Sequence, residues 1–473
     1  MSGADARRVR VEQGLTPVLR IAGRPPERYP LAERMARYQV PGCSLAAIDD
    51  GEISWAGGYG SARAGGAPVH ATTLFQAASI SKAVAAVGVL VLVEWGELDL
   101  DEPVNDRLRS WRLPDSEHTT DVPVTLRHLL SHTGGTTVPG FPGYAASAPL
   151  PSVVDVLSGA SIANTPAVES FTRPGAVTQY SGGGSTIVQL LLTEVTGRSF
   201  PELMAELVLR PFGMVDSAYE QPLSPARRRH AAAGHDGSGR PIPGDHHTYP
   251  ELQAAGLWTT AIDLARWLVG VQQVLRGDRD GPISRETAEL MITPVGDDFG
   301  LGPELEGDGE LRRFGHSGGN EGFRTQMDAL ITRPVGGVVL TNGENGSTLC
   351  AEVRRAFADE YGWGELDGPP IELADVDPSV LAGYAGFYEG PFGRPMKLVH
   401  DDDGLYSPAP YGRRRMLPLG TTTFLDEETG ATLEVELDGT SVRRIAVLVD
   451  GAELMAFTPA ERDRERPGGR GAR

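Results

Sequence analysis

Lysine is nearly absent from this chain. Of its 43 basic residues only Lys82 and Lys397 are lysines, and all the others are arginine. Cysteine is just as scarce. Cys43 and Cys350 stand far apart in the sequence, which fits neither a disulfide framework nor a zinc site. No apolar run is long enough to cross a bilayer, and the longest, Ala83 to Val93, suits a buried helix instead. The first thirty residues carry scattered arginines and no apolar stretch. No secretory signal is visible there, so a cytoplasmic, reducing location is expected. Positive charge is in deficit as well. With 63 acidic side chains against 43 basic ones, the formal charge of −20 argues against nucleic acid or an anionic membrane as partner.

What remains is a globular composition, 40% apolar and 22% charged, over 473 residues. That length exceeds one ordinary core and predicts two or three domains. Cys43–Asp49 and Glu52–Gly58 alternate in hydropathy around Asp50-Gly51 and read as a β-hairpin. The apolar run after Lys82 reads as a helix ended by Gly96. Ser185–Val195, Pro201–Leu209 and Ile262–Leu275 read as amphipathic helices, the last with Thr260 and Asp263 as a capping pair. Gln326–Thr332 and Gly336–Thr341 read as a second hairpin, and Leu349–Tyr361 as a helix. Strands thus lie at both ends of a main domain expected over residues 31–363. They can join in one antiparallel sheet only if the middle is inserted as its own lobe, with a cleft between. An N-terminal leader is expected over 1–30, a linker over 364–380, a small β-rich domain over 381–458 and a disordered tail over 459–473.

Three segments carry chemistry. The first is Ser79-Ile80-Ser81-Lys82. A serine hydroxyl needs a base to become a nucleophile. On a helix, positions i and i+3 share a face, so Lys82 can reach Ser79. A lysine kept neutral by burial and nearby positive charge can serve as that base, whereas arginine stays protonated. One of two lysines stands at this spot, which makes an accidental Ser-x-x-Lys less credible. The second segment is Tyr180-Ser181-Gly182, since a tyrosine near a lysine loses its proton more easily and can shuttle protons to a leaving group. The third is His316-Ser317-Gly318-Gly319, whose small residues let a substrate carbonyl approach backbone N–H groups. Read alone, that segment fits a tight turn equally well.

In this order the three segments resemble the class C β-lactamase and D,D-peptidase family of serine enzymes, which also contains esterases and transesterases. The matching patterns are Ser-x-x-Lys at Ser79, Tyr-x-Asn at Tyr180 with its third position altered, and Lys/His-x-Gly at His316. Leu126-Arg-His-Leu-Leu-Ser-His-Thr-Gly134, Ala255-Gly-Leu-Trp-Thr-Thr and Gly315-His-Ser-Gly-Gly-Asn-Glu-Gly-Phe are similar too. The resemblance implies an α+β fold: an antiparallel sheet flanked by helices, an inserted mainly helical lobe and a small C-terminal lipocalin-like all-β domain. It implies an acyl-enzyme on Ser79, formed from a small-molecule ester, amide or lactam. Lys82 and Tyr180 would manage protons, and His316 would bind substrate or tune Tyr180. The N–H groups of Ser79 and Gly319, beside Gly318, would form the oxyanion hole. No cofactor or metal is implied.

Two departures narrow this. Gly182 stands where an asparagine often holds a substrate amide, and His316 replaces the lysine of true β-lactamases. Both favour esterase, amidase or acyl-transfer chemistry, the last toward a small-molecule acceptor as in secondary metabolism. A true β-lactamase or D-amino-acid peptidase is the alternative, followed by a catalytically silent binding or sensory protein of the same fold. Gly315-His-Ser-Gly-Gly319 also fits a Gly-x-Ser-x-Gly nucleophile elbow at Ser317, but that elbow needs an apolar strand before it and a helix after. His230, His235, His246 and His247 match no metal-ligand spacing of a hydrolase. Tyr384, Phe387 and Tyr388 in the β-rich region are expected to pack a small core.

Overall fold

The computed structural model describes residues 3–364, 366, 369–390, 395–409, 412–449 and 451–460. Of the tail expected over 459–473, residues 461–473 lie outside these described residues, while Pro459 ends a strand. The chain divides into two compact units, one of residues 1–14 with 30–364 and one of residues 15–29 with 365–473.

The first unit is built on a six-stranded antiparallel sheet, in the order β2-β1-β8-β7-β6-β5. Its strands are β1 (Gly42–Asp49), β2 (Glu52–Gly60), β5 (Glu304–Glu306), β6 (Arg313–Asn320), β7 (Phe323–Leu330) and β8 (Gly336–Thr341). A separate two-residue pair joins β3 (Phe75–Gln76) to β4 (Trp258–Thr259). The expected first hairpin closes with Asp49 opposite Glu52, and β1 then lies beside β8, Cys43 opposite Thr341. That pairing of strands some 300 residues apart leaves the mainly helical stretch between β2 and β5 as an insertion in the sheet.

Each side of the sheet meets a helix. Val338 and Leu340 of β8 join a core shared with Trp267 and Leu268 of the Ala261–Arg276 helix. Alternation turns Gly337 to the other face, where a Cβ would strike Phe357 of the Gly346–Tyr361 helix. The Ile80–Glu94 helix is buried from Ile80 to Leu92, so its apolar run is explained by burial on all sides. It shares the same core with the Gly182–Thr196 helix of the inserted lobe. Among the described residues no helix is long and apolar enough to cross a membrane.

The N-terminal Gly3–Glu12 helix belongs to this unit: Arg10 makes two bonds of 2.8 and 2.7 Å to Glu360, and Arg7 reaches Asp49 at 2.8 Å. Residues 15–29 group with the second unit instead, Ile21 bridging to Ile371. That unit is an eight-stranded closed barrel of β9 (Gly386–Glu389), β10 (Pro395–Asp401), β11 (Gly404–Ala409), β12 (Gly412–Pro418), β13 (Thr423–Asp426), β14 (Thr432–Asp438), β15 (Ser441–Val449) and β16 (Ala452–Pro459). β9 closes it by pairing with both β10 and β16. Tyr384 and Tyr388 fill its core, whereas the half-buried Phe387 lies under the ammonium of Lys397, 4.7 Å from the ring centroid.

The Ala261–Arg276 helix starts as expected, with the Thr260 side chain accepting the Asp263 N–H at 3.1 Å. Replacing Thr260 with alanine removes that cap and should lower stability by about 1 kcal/mol. A shift of the denaturation midpoint to lower denaturant, at unchanged slope, checks this.

Candidate active site

Four elements of the first unit converge on Ser79: the start of its own helix, β6, the start of the Gly182–Thr196 helix and the short Leu252–Ala255 helix. The chain leaves β3 through Ala78, whose φ of +51° lies in the left-handed region that costs an ordinary residue energy. Ser79 itself is already helical, at φ −65° and ψ −15°, and its side chain caps nothing. The hydroxyl is therefore left for other partners. Lys82 supplies one, its Nζ 3.1 Å from Ser79 Oγ. The same ammonium donates to the carbonyl of Ala254 at 2.8 Å. Ser81 braces the turn by donating to Ala78 O at 2.5 Å and accepting from the Leu257 N–H at 3.0 Å.

Burial sets the electrostatics. It lowers the Lys82 ammonium to about 7, outweighing an opposing pull from Glu304. Nearby positive charge, expected from the sequence to help, plays no part in that shift. Tyr180 stands over the same amine, its ring centroid 4.7 Å from Nζ. Its hydroxyl lies toward Ser79 but is buried without a hydrogen-bond partner of good geometry. Burial pushes this phenol up, more than Ser79 lowers it. Tyr180 thus stays protonated, the reverse of the easy deprotonation expected from a neighbouring lysine. His316 is buried and drawn below its ordinary value by desolvation, so it is neutral. Its Nδ1 lies 2.6 Å from the carbonyl of Ser317, which assigns the proton to Nδ1 and leaves the buried, unpartnered Nε2 as an acceptor.

His316–Gly319 is strand, not turn: β6 runs through it, with His316 opposite Met327 and Gly319 opposite Arg324. Pairing with β7 overrides the turn propensity of its glycines. On the side of β6 away from β7, the Ser317 N–H is bound by the side chain of Glu304 of β5, at Oε2 and 3.1 Å, so by alternation the Gly319 N–H also points to that side, beyond the end of β5. Gly318 has a different task. A Cβ there would come within 2.4 Å of Ala77 O and 2.3 Å of Thr325 Oγ1, so only glycine lets β6 approach the turn that presents Ser79. At Gly319 an added Cβ would meet only the Arg324 side chain, at 3.5 Å. Gly182 opens the lobe helix two residues from Tyr180. Its side-chain direction is filled by Phe141, whose ring a Cβ would approach to 2.9 Å.

Three further groups belong to this cluster and were missed from the sequence. His132 stacks on Tyr180, centroids 4.3 Å apart, and takes the Ser181 N–H on its Nδ1 at 3.2 Å. Asn320 ties β6 to Gln76 at 2.8 Å and to Ala255 O at 3.2 Å. Glu304 holds Ser317. His132 and Asn320 each stand in a segment that resembles the family; Glu304 carried no signal and reaches the site through the sheet.

The rival segments fall elsewhere. Ser317 sits within β6 and β7 follows after one turn, so no helix completes a nucleophile elbow, and its hydroxyl bonds Glu304 at 3.2 Å. His235 spends both ring nitrogens on backbone groups, Asn342 O at 2.7 Å and Ala64 N–H at 2.9 Å. His246 packs edge-on to Trp258, and His247 Nδ1 lies 2.9 Å from Pro142 O.

An amine one helical turn from a serine, at the open edge of an antiparallel sheet, marks the class of serine hydrolases. More narrowly, the chain belongs to the beta-lactamase family, whose model matches residues 31–359. It is similar to Penicillin-binding protein 4 of Amycolatopsis lactamdurans, 27% identical over 76% of this chain and 95% of that one. It is 32% identical to Esterase EstB of Burkholderia gladioli, over 41% of this chain and 50% of that protein. In fold it resembles the octameric penicillin-binding protein homologue from Pyrococcus abyssi, with TM-score 0.61 and 23% identity over 91% of this chain and 95% of that one.

Gly318→Ala should abolish covalent labelling of the site by an activated acyl donor while leaving the protein folded, and Gly319→Ala should be tolerated. Labelling rates by mass spectrometry, beside circular dichroism, separate the two. Equal rates would show that the close approach at Gly318 is not required.

Proposed function

We propose that this protein cleaves a small ester or amide through an acyl-enzyme on Ser79. The observation that carries the reading is the 3.1 Å contact between Ser79 Oγ and a lysine whose burial lowers it to about 7. Neutral Lys82 takes the hydroxyl proton as Ser79 Oγ bonds to the carbonyl carbon. The developing oxyanion accepts hydrogen bonds from the N–H groups of Ser79 and Gly319, where one donor typically contributes about 3–4 kcal/mol. Tyr180, kept a phenol, passes a proton to the leaving group and regains one from Lys82. A second nucleophile then releases the acyl group. Water gives hydrolysis, and a small alcohol or amine that arrives first gives acyl transfer.

Esters are favoured over lactams and peptides by two features. The place of an amide-holding asparagine at Gly182 is filled by Phe141, and the strand residue that would be a lysine is a neutral histidine. The name of the Burkholderia relative, an esterase, agrees. We also place the enzyme in the cytoplasm, where free thiols such as Cys43 and Cys350 persist.

Ser79→Ala should remove turnover of p-nitrophenyl butyrate and adduct formation with a fluorophosphonate, while Ser317→Ala keeps both. An adduct mapped to Ser317 in the wild type would overturn the reading. Activity should also follow the Lys82 proton. Below pH 7 the ammonium cannot accept a proton, so kcat/KM should rise about tenfold per pH unit and level off above about 7. Glu251, buried just before the Leu252–Ala255 helix, is itself raised to about 7. Glu251→Gln should leave the rising limb in place; its disappearance would assign the limb to the carboxyl.

A further inference from the structure

We propose that Glu304 sets the charge selectivity of this cleft, turning away acyl donors that carry a carboxylate near the scissile carbonyl and favouring neutral or ammonium-bearing ones. The proposal rests on Ser79 being the acylated residue.

Glu304 opens β5, opposite Gly315, at the point where the pairing of β5 with β6 stops. Its carboxylate reaches along the edge that β6 then leaves open. One oxygen accepts the Ser317 N–H at 3.1 Å, and the other accepts the Ser317 hydroxyl at 3.2 Å and lies 3.4 Å from His316 Nδ1. It therefore occupies the two polar groups that precede Gly319 on this edge. An anionic substrate group lying there would have to displace one negative charge with another. The side chain is 31% exposed, so it faces solvent as well as protein.

Among the described residues no arginine is paired with that charge. Desolvation holds His316 and His132 neutral and lowers the Lys82 ammonium to about 7. Arg324 comes up to Gly319 from β7, but its guanidinium is tied to Glu344 and to the carbonyls of Asn320 and Phe323 at 2.6 and 2.7 Å. The influence of Glu304 is felt by each working group, since it opposes the lowering of Lys82 and His316 and adds to the raising of Tyr180. In a half-wet cleft a unit charge several ångströms away changes binding of a charged group on the order of tenfold.

The experiment compares three esters on the same protein: neutral p-nitrophenyl butyrate, anionic mono-p-nitrophenyl glutarate and cationic p-nitrophenyl 4-(trimethylammonio)butyrate. In the wild type, kcat/KM should follow the order cationic, neutral, anionic. In Glu304→Gln, which keeps an acceptor for Ser317, the cationic-to-anionic ratio should fall about tenfold. Glu206→Gln removes a charge from the inserted lobe, far along the chain from the site, and should leave the ratio unmoved. A ratio, read within one preparation, cancels any general loss of activity. If the ratio in Glu304→Gln changes less than twofold, or changes as much in Glu206→Gln, the proposal fails. If none of the esters is turned over and no adduct forms on Ser79, it is the acyl-enzyme reading that fails.

Discussion

Everything at this site depends on how closely β6 can lie against the turn that delivers Ser79. Thr325 Oγ1 and Ala77 O stand 2.3 and 2.4 Å, and Ala78 Cβ 3.2 Å, from where a Cβ on residue 318 would be. With glycine there, β6 lies directly against the turn that leads into the Ile80–Glu94 helix. Thr325 then ties the same turn to β7 through Ala77 O at 3.0 Å. The strained φ of Ala78 is sustained by this contact and by Ser81, which holds Ala78 O from inside the helix.

The same closeness accounts for the protonation states. Once β6, the lobe helix and the Leu252–Ala255 helix close over Lys82, its ammonium loses water and keeps one carbonyl, Ala254 O, in exchange. That trade is poor, and it lowers the amine to about 7. The phenol of Tyr180 is driven the opposite way by the same loss of water, because burial always disfavours the charged form. One desolvated volume thus holds an amine that gives up its proton easily beside a phenol that keeps its own. His132, stacked on Tyr180, fixes the ring that carries the acid.

How much of this could be read without coordinates varied with the range of the interaction. The Ser79–Lys82 pair was legible because a helix converts a three-residue spacing into a shared face. The Thr260–Asp263 cap and the Asp50-Gly51 hairpin were legible for the same local reason. His316–Gly319 was ambiguous, since glycine-rich chain suits a turn as well as a strand and only pairing with β7 decides. Glu304 was invisible. It stands twelve residues from His316 in sequence, on a strand of three residues, and no periodicity or motif marks it. The role of Gly318 was legible only as smallness, without the neighbours that demand it.

The sequence by itself determined the chemistry on offer: one lysine placed where a base must be, a serine one turn before it, and a tyrosine and a histidine in the order of a known family. It also determined the main local elements, because helix faces, caps and hairpin turns are written in spacings of two to four residues. The tertiary structure alone decided which proton each group holds and which charge stands beside Ser317. Those are properties of water excluded and charges brought near, and they arise from segments up to some 240 residues apart, as when the Tyr180 phenol and β6 close over Lys82.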